Sequence, residues 1–582
     1  MSLNMPCRFQ ALKKTAKPTV TMMMAAGIVI LAAVLVFSCG QPVQRQFLRI
    51  GLPEEPKSMN IWLGTDANSR KIISQIYQPL YIRHPETLEI IPWLAQRDPV
   101  YDEKGLTFTV TLRKAKWSDG SDFTSDDVAF TKQLFFDFKI PRYYDKWKII
   151  EKLETPDAHT VVFHLKEPSA IFMSRVMSAP IVSRKEWEPV ATRALTQEKP
   201  LRFLQDFHIE NPLGTGPFML TEYKKDAFIY MQKNPYFFGT GKTIGGHLLG
   251  PYVASLLFSF YGTSDVAVLA LKKGDIDFFW WDIQPGYIED LQKQKNIDLY
   301  FNKQSALYYM GFNLRRLPFN DKALRLAVAT VVDKQFILTR ILQNFGTPMH
   351  SIVPSGNHFW YNPDVNKHGF GLTETQRIKK AVKILSGAGY SWQTPPVDAY
   401  GNVVTPSDIL LPGGSPMEKL VILTPPADYD PKRAFAGTMI QEWLRKIGMP
   451  AYARPMAFNS LLDTVKETHD FDAFVLGYGQ LNMDPDYLFS FFHSDNDKPR
   501  GWNMSGYHNP EYDKLADQQR MAVNTEERKK IIFEMQHILL EDLPYLPLYN
   551  PNIIEATLNT NFTGWVAKVD GIGNIWSMCV VK

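Results

Sequence analysis

Helix patterns and strand patterns follow one another through the second half of this chain. Apolar residues recur at i, i+3, i+4 and i+7 through residues 324–331, which places them on one face of a helix. Phe435, Met439 and Trp443 repeat that spacing and predict a second amphipathic helix. The uninterrupted apolar stretch at 473–477 predicts a buried strand. Because helices that alternate with strands pack on the faces of a sheet, the sequence predicts an α/β fold.

Other segments carry equally local signals. Apolar residues and threonines alternate through 106–112, which is the pattern of a half-buried strand. Asn320 precedes the helix that contains residues 324–331, and its side chain is predicted to cap it. The remaining predicted elements are a helix that starts at Thr124, a helix over 265–273 that Gly274 ends, a strand over 276–281 and a helix over 525–541.

The first forty residues have the layout of an export signal. Basic residues between Arg8 and Lys17 precede an apolar run at 22–37, which is shorter than the roughly 20 residues of a spanning helix. Residues 36–39, Val-Phe-Ser-Cys, are similar to a bacterial lipobox, which implies cleavage before Cys39 and lipid attachment to its sulfur. The alternative is an uncleaved signal anchor. We expect a signal peptide over 1–38 and a lipid-anchored protein on the periplasmic or cell-surface face of a bacterial membrane.

The charge of the chain after the signal peptide argues against a nucleic-acid partner. The formal net charge of +4 falls to 0 without residues 1–38, because that segment carries four basic residues and no acid. A neutral chain has no bulk attraction to phosphate backbones.

Sites for metals or covalent chemistry are not apparent. Cys7, Cys39 and Cys579 are the only cysteines, so neither a disulfide framework nor a cysteine metal site is expected. The histidines show no metal-binding spacing. Asp484 and Asp486 flank Pro485, which favours a turn over a catalytic carboxylate pair. The prediction is a protein without cofactor, metal or enzymatic activity.

Short motifs in a fixed order are similar to those of the peptide/nickel-type extracellular solute-binding proteins, bacterial family 5. Lys116-Trp117-Ser118-Asp119-Gly120 resembles the family's signature block, and the segment 211–218, rich in proline and glycine, resembles its hinge. The other matching segments lie at 93–95, 126–130, 271–277, 318–321, 484–486 and 544–549.

This resemblance implies a periplasmic binding protein-like fold of type II, in which two lobes close on a cleft and an extra domain sits on the first lobe. The chain would leave the first lobe and return to it twice. The implied organisation is a tether at 39–46, the first lobe at 47–88, 211–305 and 544–582, the extra domain at 89–210 and the second lobe at 306–543.

The stretch 478–481 is the most informative part of the expected ligand site. The resemblance implies an aromatic cleft residue at Tyr478, and in peptide-binding members an aspartate at the position of Leu481 pairs with the peptide α-ammonium. Leu481 has no carboxylate, and a buried ammonium without a counter-charge is costly. The predicted ligand-binding residues are Tyr478, Gly479, Gln480, Leu481, Trp281, which ends a predicted strand, and Thr65, which matches another peptide-contacting position.

The expected function is the capture of a peptide or peptide-like solute and its delivery to the permease subunits of an ABC importer, by a monomer. Leu481 favours a blocked or modified peptide, an oligosaccharide or another small organic solute as alternatives to an ordinary peptide, and nickel chelates stay open although nothing in the sequence favours them. The alternatives are an exported enzyme such as a peptidase, and a surface sensor that does not transport.

Overall fold

The chain first contributes one strand to a large sheet. The structure is a computed structural model that describes residues 47–102 and 104–582. The signal segment and Cys39 therefore lie outside the described residues. Asp66 caps the first helix, since its Oδ1 accepts the Ser69 amide at 3.0 Å. The elements are β1 (Phe47–Leu52), α1 (Ala67–Ile76), β2 (Tyr81–Arg83) and β3 (Ile90–Pro92).

A separate sheet of four strands follows, in the order β4-β5-β7-β6. The strand predicted at 106–112 is confirmed, and the helix predicted after Thr124 begins there with a capping box. A π-helical turn at Phe172–Val176 joins this region to its later helices. The elements are β4 (Val100–Tyr101), β5 (Thr107–Thr111), α2 (Ser125–Asp137), α3 (Tyr144–Trp147), β6 (Ile150–Asp157), β7 (Thr160–Leu165), α4 (Arg184–Leu195) and α5 (Pro200–Asp206).

The chain then returns to the large sheet. Gly274 ends the helix predicted at 265–273, in the left-handed conformation that glycine adopts without strain. The strand predicted over 276–281 is shorter than expected, because regular pairing is confined to two residues and the chain turns away at Trp280. The elements are β8 (Phe218–Lys224), β9 (Phe228–Lys233), β10 (Thr243–Ile244), β11 (His247–Leu248), β12 (Ser255–Phe260), α6 (Ser264–Lys273), β13 (Phe278–Phe279), α7 (Ile288–Gln292) and β14 (Ile297–Lys303).

The next passage builds the other part of the large sheet. Its strands and helices largely alternate as predicted, and helices cover both faces. The elements are β15 (Leu307–Phe312), α8 (Lys322–Val331), α9 (Lys334–Phe336), β16 (Gly346–Pro348), α10 (Glu374–Gly387), β17 (Ser391–Thr394), β18 (Ser407–Leu410), β19 (Leu420–Thr424), α11 (Pro431–Arg445), β20 (Ala451–Pro455), α12 (Phe458–Asp463), β21 (Ala473–Tyr478), α13 (Tyr487–Phe492), α14 (Pro510–Met521) and α15 (Thr525–Asp542).

Two predictions about these helices were wrong in detail. Asp321, not Asn320, caps α8, because a tight turn from Pro318 to Asp321 delays the helix by one residue. The face predicted for α11 was wrong at Phe435, which is 45% exposed; Trp443 is buried as predicted, and Ala436, Ile440 and Leu444 complete the buried face.

The last strand, β22 (Tyr545–Leu558), unites the sheet, and helix α16 (Ile575–Val580) follows it. The strand order is β20-β19-β21-β15-β22-β13-β1-β12-β9-β8, with β14 and β16 also paired to β22. The first half of β22 pairs with β15 and β16, and the change to β14 falls between Pro551 and Asn552.

The large sheet therefore has two parts. We call β1, β8, β9, β12, β13 and β14 with the end of β22 the first half-sheet, and β15, β16, β19, β20 and β21 with the start of β22 the second half-sheet. The chain passes between them at residues 304–306 and again within β22. Apolar cores lie on both faces of the second half-sheet, as an α/β fold requires: Tyr309 packs on one face and Met310 on the other.

Candidate functional site

The predicted segment 478–481 lies at the junction of the two half-sheets. It follows the end of β21, and the Leu481 amide donates to the carbonyl of Ser305 at 2.5 Å. The Ser305 amide in turn donates to Oδ1 of Asp570 at 2.8 Å. Residues from three distant parts of the sequence thus meet where the chain crosses from one half-sheet to the other.

Tyr478 belongs to an aromatic stack. Its ring is nearly parallel to those of Phe491, at 4.7 Å between centroids, and Tyr309, at 5.8 Å. Burial raises its pKa well above the ordinary value, so the phenol stays neutral. The side chain remains half-buried, and part of the ring is available for contact with a solute.

The next two residues open into free space. Gly479 and Gln480 are exposed, and a Cβ added to Gly479 would meet no atom within 4 Å. Oε1 of Gln480 lies 3.5 Å from Nη2 of Arg70, on α1 of the opposite side. This long contact spans the gap between a loop of the second half-sheet and a helix of the first.

Leu481 itself packs inward. It is 6% exposed and belongs to the apolar core that also contains Tyr309. An aspartate at this position would enter that core, so the aliphatic side chain suits its surroundings.

The nearby acid, Asp484, does not replace the missing carboxylate. Both its oxygens accept from Arg528, at 2.7 and 2.8 Å, and Oδ2 also accepts from the Ser174 hydroxyl at 2.6 Å. These partners hold the pKa of Asp484 far below its usual range although burial opposes the shift. The turn predicted around Pro485 therefore also carries a buried ion pair, between Asp484 and Arg528.

The two predicted residues from the first half of the chain lie around α1. Thr65 is exposed and precedes the cap Asp66, and Trp281 is half-buried. The Lys71 ammonium lies 4.4 Å from the centre of the Trp281 ring and donates to the carbonyl of Trp280 at 2.5 Å. Trp280 packs inward at 4% exposure, so of the two adjacent rings only Trp281 is partly open.

Sequence reasoning missed the charged groups around this junction. Glu555, on β22, is fully buried and accepts the Ile572 amide. Burial raises the pKa of Glu555 and lowers the pKa of Lys71. The attraction between the two opposite charges works against both of these shifts. Lys568 adds a second cation near Glu555, and burial lowers its pKa as well. No local motif marks such residues, since they meet only through the fold.

The four-stranded region also touches the second half-sheet. Nη2 of Arg175, in the π-helical turn, lies 3.4 Å from Oδ2 of Asp486, beside the contact of Ser174 with Asp484. A cavity of about 570 Å³ lies next to these contacts. Its walls come from the β2–β3 hairpin, the four-stranded region, and loops and a helix of the second half of the chain, through residues that include Arg83, Tyr101, Met173, Trp360 and Arg528.

Two groupings of reactive side chains are absent from the described ranges. No serine, threonine or cysteine side chain is hydrogen-bonded to a histidine among residues 47–102 and 104–582. The same residues contain no group of three or more His, Cys, Asp or Glu placed to hold a metal ion. The junction instead offers aromatic faces, exposed backbone and charged side chains, which suit reversible binding of a solute.

No helix in the described part of the chain has the length and apolar character needed to cross a membrane.

Comparison with known proteins gives a consistent match. The family described as bacterial extracellular solute-binding proteins, family 5 Middle, matches residues 89–499. The oligopeptide-binding protein AppA of Bacillus subtilis (strain 168) is 26% identical over 522 residues, which are 88% of this chain and 88% of that protein. The dipeptide-binding protein of Escherichia coli (strain K12) is 24% identical over 519 residues, 85% of this chain and 87% of that protein.

Solved structures show the same fold. HbpA2 from Haemophilus parasuis superposes with a TM-score of 0.73 at 23% identity, over 92% of this chain and 99% of that one. AppA from Bacillus subtilis, in complex with a nonapeptide, gives a TM-score of 0.62 at 24% identity over 92% and 99% of the two chains.

Proposed function

Because this chain belongs to family 5 of the bacterial extracellular solute-binding proteins, we propose that it captures a peptide or peptide-like solute and delivers it to the permease subunits of an ABC importer. The curated relatives named above are an oligopeptide-binding and a dipeptide-binding protein, and one structural relative holds a nonapeptide. The observation that carries the proposal is the position of Tyr478 and its exposed neighbours at the junction of the half-sheets.

The two half-sheets act as the lobes of this binding protein. Among the described residues 47–102 and 104–582, only 304–306 and the middle of β22 carry the chain between them. Two short connections that lie side by side define an axis about which the halves can rotate. The four-stranded region at 89–210 moves with the first lobe, which comprises 47–88, 211–305 and 544–582, and the second lobe spans 306–543.

The solute lies between Thr65, Trp281 and the segment 478–481. Tyr478 and Trp281 offer partly open rings for stacking, and Gly479 leaves room for a main chain to approach. Solute is bound and released unchanged, so the protein is not an enzyme.

The location follows from the sequence. The leader at 1–38 directs export, Cys39 carries the lipid, and residues 39–46 tether a monomer to the outer face of the membrane. The membrane partner is the permease. It distinguishes the closed conformation, in which the lobes hold the solute, from the open conformation, in which the lobes are apart.

Calorimetric titration of the mature protein with peptides of two to nine residues tests this function. We expect saturable binding. Bound peptide should also raise the free energy of unfolding by about 3 kcal/mol at a peptide concentration near 100 times Kd. Small-angle scattering should show a smaller radius of gyration with bound peptide.

The variant Tyr478→Leu should lose about tenfold or more in affinity because a stacking face is removed. Tyr400→Ala is the matched control, since that tyrosine is 92% exposed between β17 and β18. Cleavage of a titrated peptide, or the absence of binding to any peptide and any other small solute, would contradict the proposal.

A further inference from the structure

The cavity of about 570 Å³ described above has no role in the proposed function. Its volume lies within the range of roughly 300–1,000 Å³ that is typical of small-molecule sites. Its lining comes from the β2–β3 hairpin, the four-stranded region, residues 359–360 and residues within 522–528. Thr65, Trp281 and the segment 478–481 do not line it. The cavity therefore offers room for a small molecule outside the proposed cleft.

Two arginines line the cavity, and only one of them is saturated. Nη1 and Nη2 of Arg528 donate to Asp484 at 2.8 and 2.7 Å, and its Nε donates to Oε1 of Gln519 at 3.1 Å. Nη1 of Arg83 donates to the Leu88 carbonyl at 2.6 Å. Its Nε and Nη2 have no hydrogen-bond partner within residues 47–102 and 104–582, and neither atom is sealed from solvent. These two nitrogens form one edge of the guanidinium, which is the fork that a carboxylate fits.

The charge of Arg83 is also uncompensated. Among the residues that the structure describes, no carboxylate oxygen lies within 4 Å of its charged nitrogens. Asp484 shares the cavity wall, but its oxygens already accept from Arg528 and Ser174. Burial lowers the pKa of Arg83; the charge of Asp484 opposes this shift and the charge of Arg528 adds to it. A half-buried guanidinium with an open fork favours a carboxylate from a ligand.

Exposed acids give the cavity a second charged part. Glu89, Asp98 and Glu526 line it, and the side chains of all three are exposed, whereas Arg83 is half-buried. Oε2 of Glu89 accepts the Thr87 hydroxyl at 2.9 Å. Asp98 and Glu526 have no ion-pair partner in the described ranges. Free acids repel a simple anion and attract an ammonium, so the wall suits a ligand that carries both charges.

The apolar part of the cavity centres on Tyr101. This ring is 51% exposed and stacks with Phe108, at 5.5 Å between centroids. Ile90 and Met173, both half-buried, also line the cavity. An apolar group of the ligand would cover the open face of Tyr101 and displace water from these side chains.

We infer that this cavity is a second binding site, and that it takes a zwitterionic α-amino acid with a large apolar side chain. The carboxylate binds the open fork of Arg83, the ammonium lies toward Asp98 and Glu526, and the side chain packs on Tyr101. The site is independent of the solute that the segment 478–481 holds. One bidentate pair and one open ring are few contacts, so we expect weak binding, on the order of 10 μM to 1 mM, which purification removes.

Four probes separate the two charges of the ligand. L-Phenylalanine carries both, its amide only the ammonium, N-acetylphenylalanine only the carboxylate, and N-acetylphenylalaninamide neither. Calorimetric titration should give about tenfold tighter binding of phenylalanine than of its amide or of N-acetylphenylalanine, and the weakest binding of the neutral probe. The same order should persist in Tyr478→Leu, because that ring lies outside the cavity.

Variants then assign the charges to residues. Arg83→Gln should weaken phenylalanine about tenfold and leave its amide unchanged. Because Arg83 also bonds the β2–β3 hairpin, the ammonium side provides an independent test at two exposed acids. The double variant Asp98→Asn, Glu526→Gln should bring phenylalanine down to the affinity of N-acetylphenylalanine. Glu418→Gln, an exposed acid before β19, is the matched control and should change no affinity.

The apolar contact has its own variant. Tyr101→Ser should weaken all four probes, because the ring that they share loses its partner. Tyr400→Ser removes a tyrosine that is 92% exposed elsewhere and should weaken none.

Binding of no probe, or equal affinity for phenylalanine and its amide, overturns the inference. Phenylalanine binding that is lost in Tyr478→Leu and survives both Arg83→Gln and the double acid variant would place the amino acid in the cleft. That result also overturns the inference, and it leaves the proposed function intact.

Discussion

Lys334 carries an amino group into the interior of the molecule. It is 5% exposed, its Nζ donates to the carbonyl of Met349 at 2.7 Å, and burial lowers its pKa to about 7. The titratable neighbours do not compensate: burial and the charge of Lys334 lower the pKa of His350 to about 3. The folded protein therefore favours the neutral amine, whereas the unfolded chain keeps it charged up to a pH of roughly 10.

This difference predicts how stability varies with pH. Between pH 7 and about 10 the unfolded state binds more protons than the folded state, so the free energy of unfolding should rise with pH over that window, by a few kcal/mol in total. Lys334→Met should reduce that slope by the share that Lys334 contributes, leaving the share of other buried lysines such as Lys71, and should raise the free energy of unfolding near pH 7. The measurement is the urea midpoint at several pH values, with Lys383→Met, an exposed lysine on α10, as the control. A slope in Lys334→Met equal to that of the unchanged protein would contradict the assignment.

At the residue scale, the sequence showed which residues mark the candidate site better than it showed what surrounds each of them in the fold. The sequence showed that position 481 carries a leucine and no carboxylate. It did not show that the Leu481 side chain is buried in the same apolar core as Tyr309. Asp484 looked like a turn residue, and its pairing with Arg528 joins positions 44 residues apart. Such contacts depend on tertiary packing, which no local spacing reports.

At the element scale, the segment 211–218 is held by close backbone contact. A Cβ on Gly216 would lie 2.1 Å from the carbonyl oxygen of Gln75, and the Gly216 amide donates to the carbonyl of Ile76 at 2.8 Å. The segment thus seals the C-terminal end of α1 on its way to β8. The proline and glycine residues of this segment predicted a rigid connection between lobes. Only the structure shows that the segment crosses the end of α1.

Gly216→Ala should destabilise the protein by about 3 kcal/mol or more, because the new methyl group meets rigid backbone. Gly387→Ala is the control: a Cβ there has no neighbour within 4 Å, and it should be neutral or stabilising by about 0.5 kcal/mol. Thermal unfolding of both variants decides the point. Equal melting temperatures would show that the contact at α1 yields without cost.

Element boundaries were otherwise predicted well where a pattern was long. The helix expected at 525–541 is α15, and its N-cap Asn524 accepts the Glu527 amide. The face predicted for α11 was right at Trp443, which is 5% exposed, and wrong at Phe435, which is 45% exposed. A hydrophobic period of four residues cannot choose between neighbouring faces when both carry apolar side chains.

At the scale of the whole molecule, two short connections and one set of buried ion pairs limit how the two half-sheets can move relative to each other. Residues 304–306 and β22 join the half-sheets on one side of the proposed cleft. The contacts of Ser174 with Asp484 and of Arg175 with Asp486 join the four-stranded region to the second half-sheet. The α/β class followed from alternation in sequence, whereas strand order and crossings required the fold, because non-local pairing leaves no periodic signal.

The central claim is that this protein binds a solute and releases it unchanged. Native mass spectrometry of the freshly purified mature protein, followed by denaturation and mass analysis of whatever is released, tests it most directly. The expected result is one small molecule per chain, whose mass is the same after prolonged incubation with the protein. A released molecule that the protein converts to a product of different mass would contradict it.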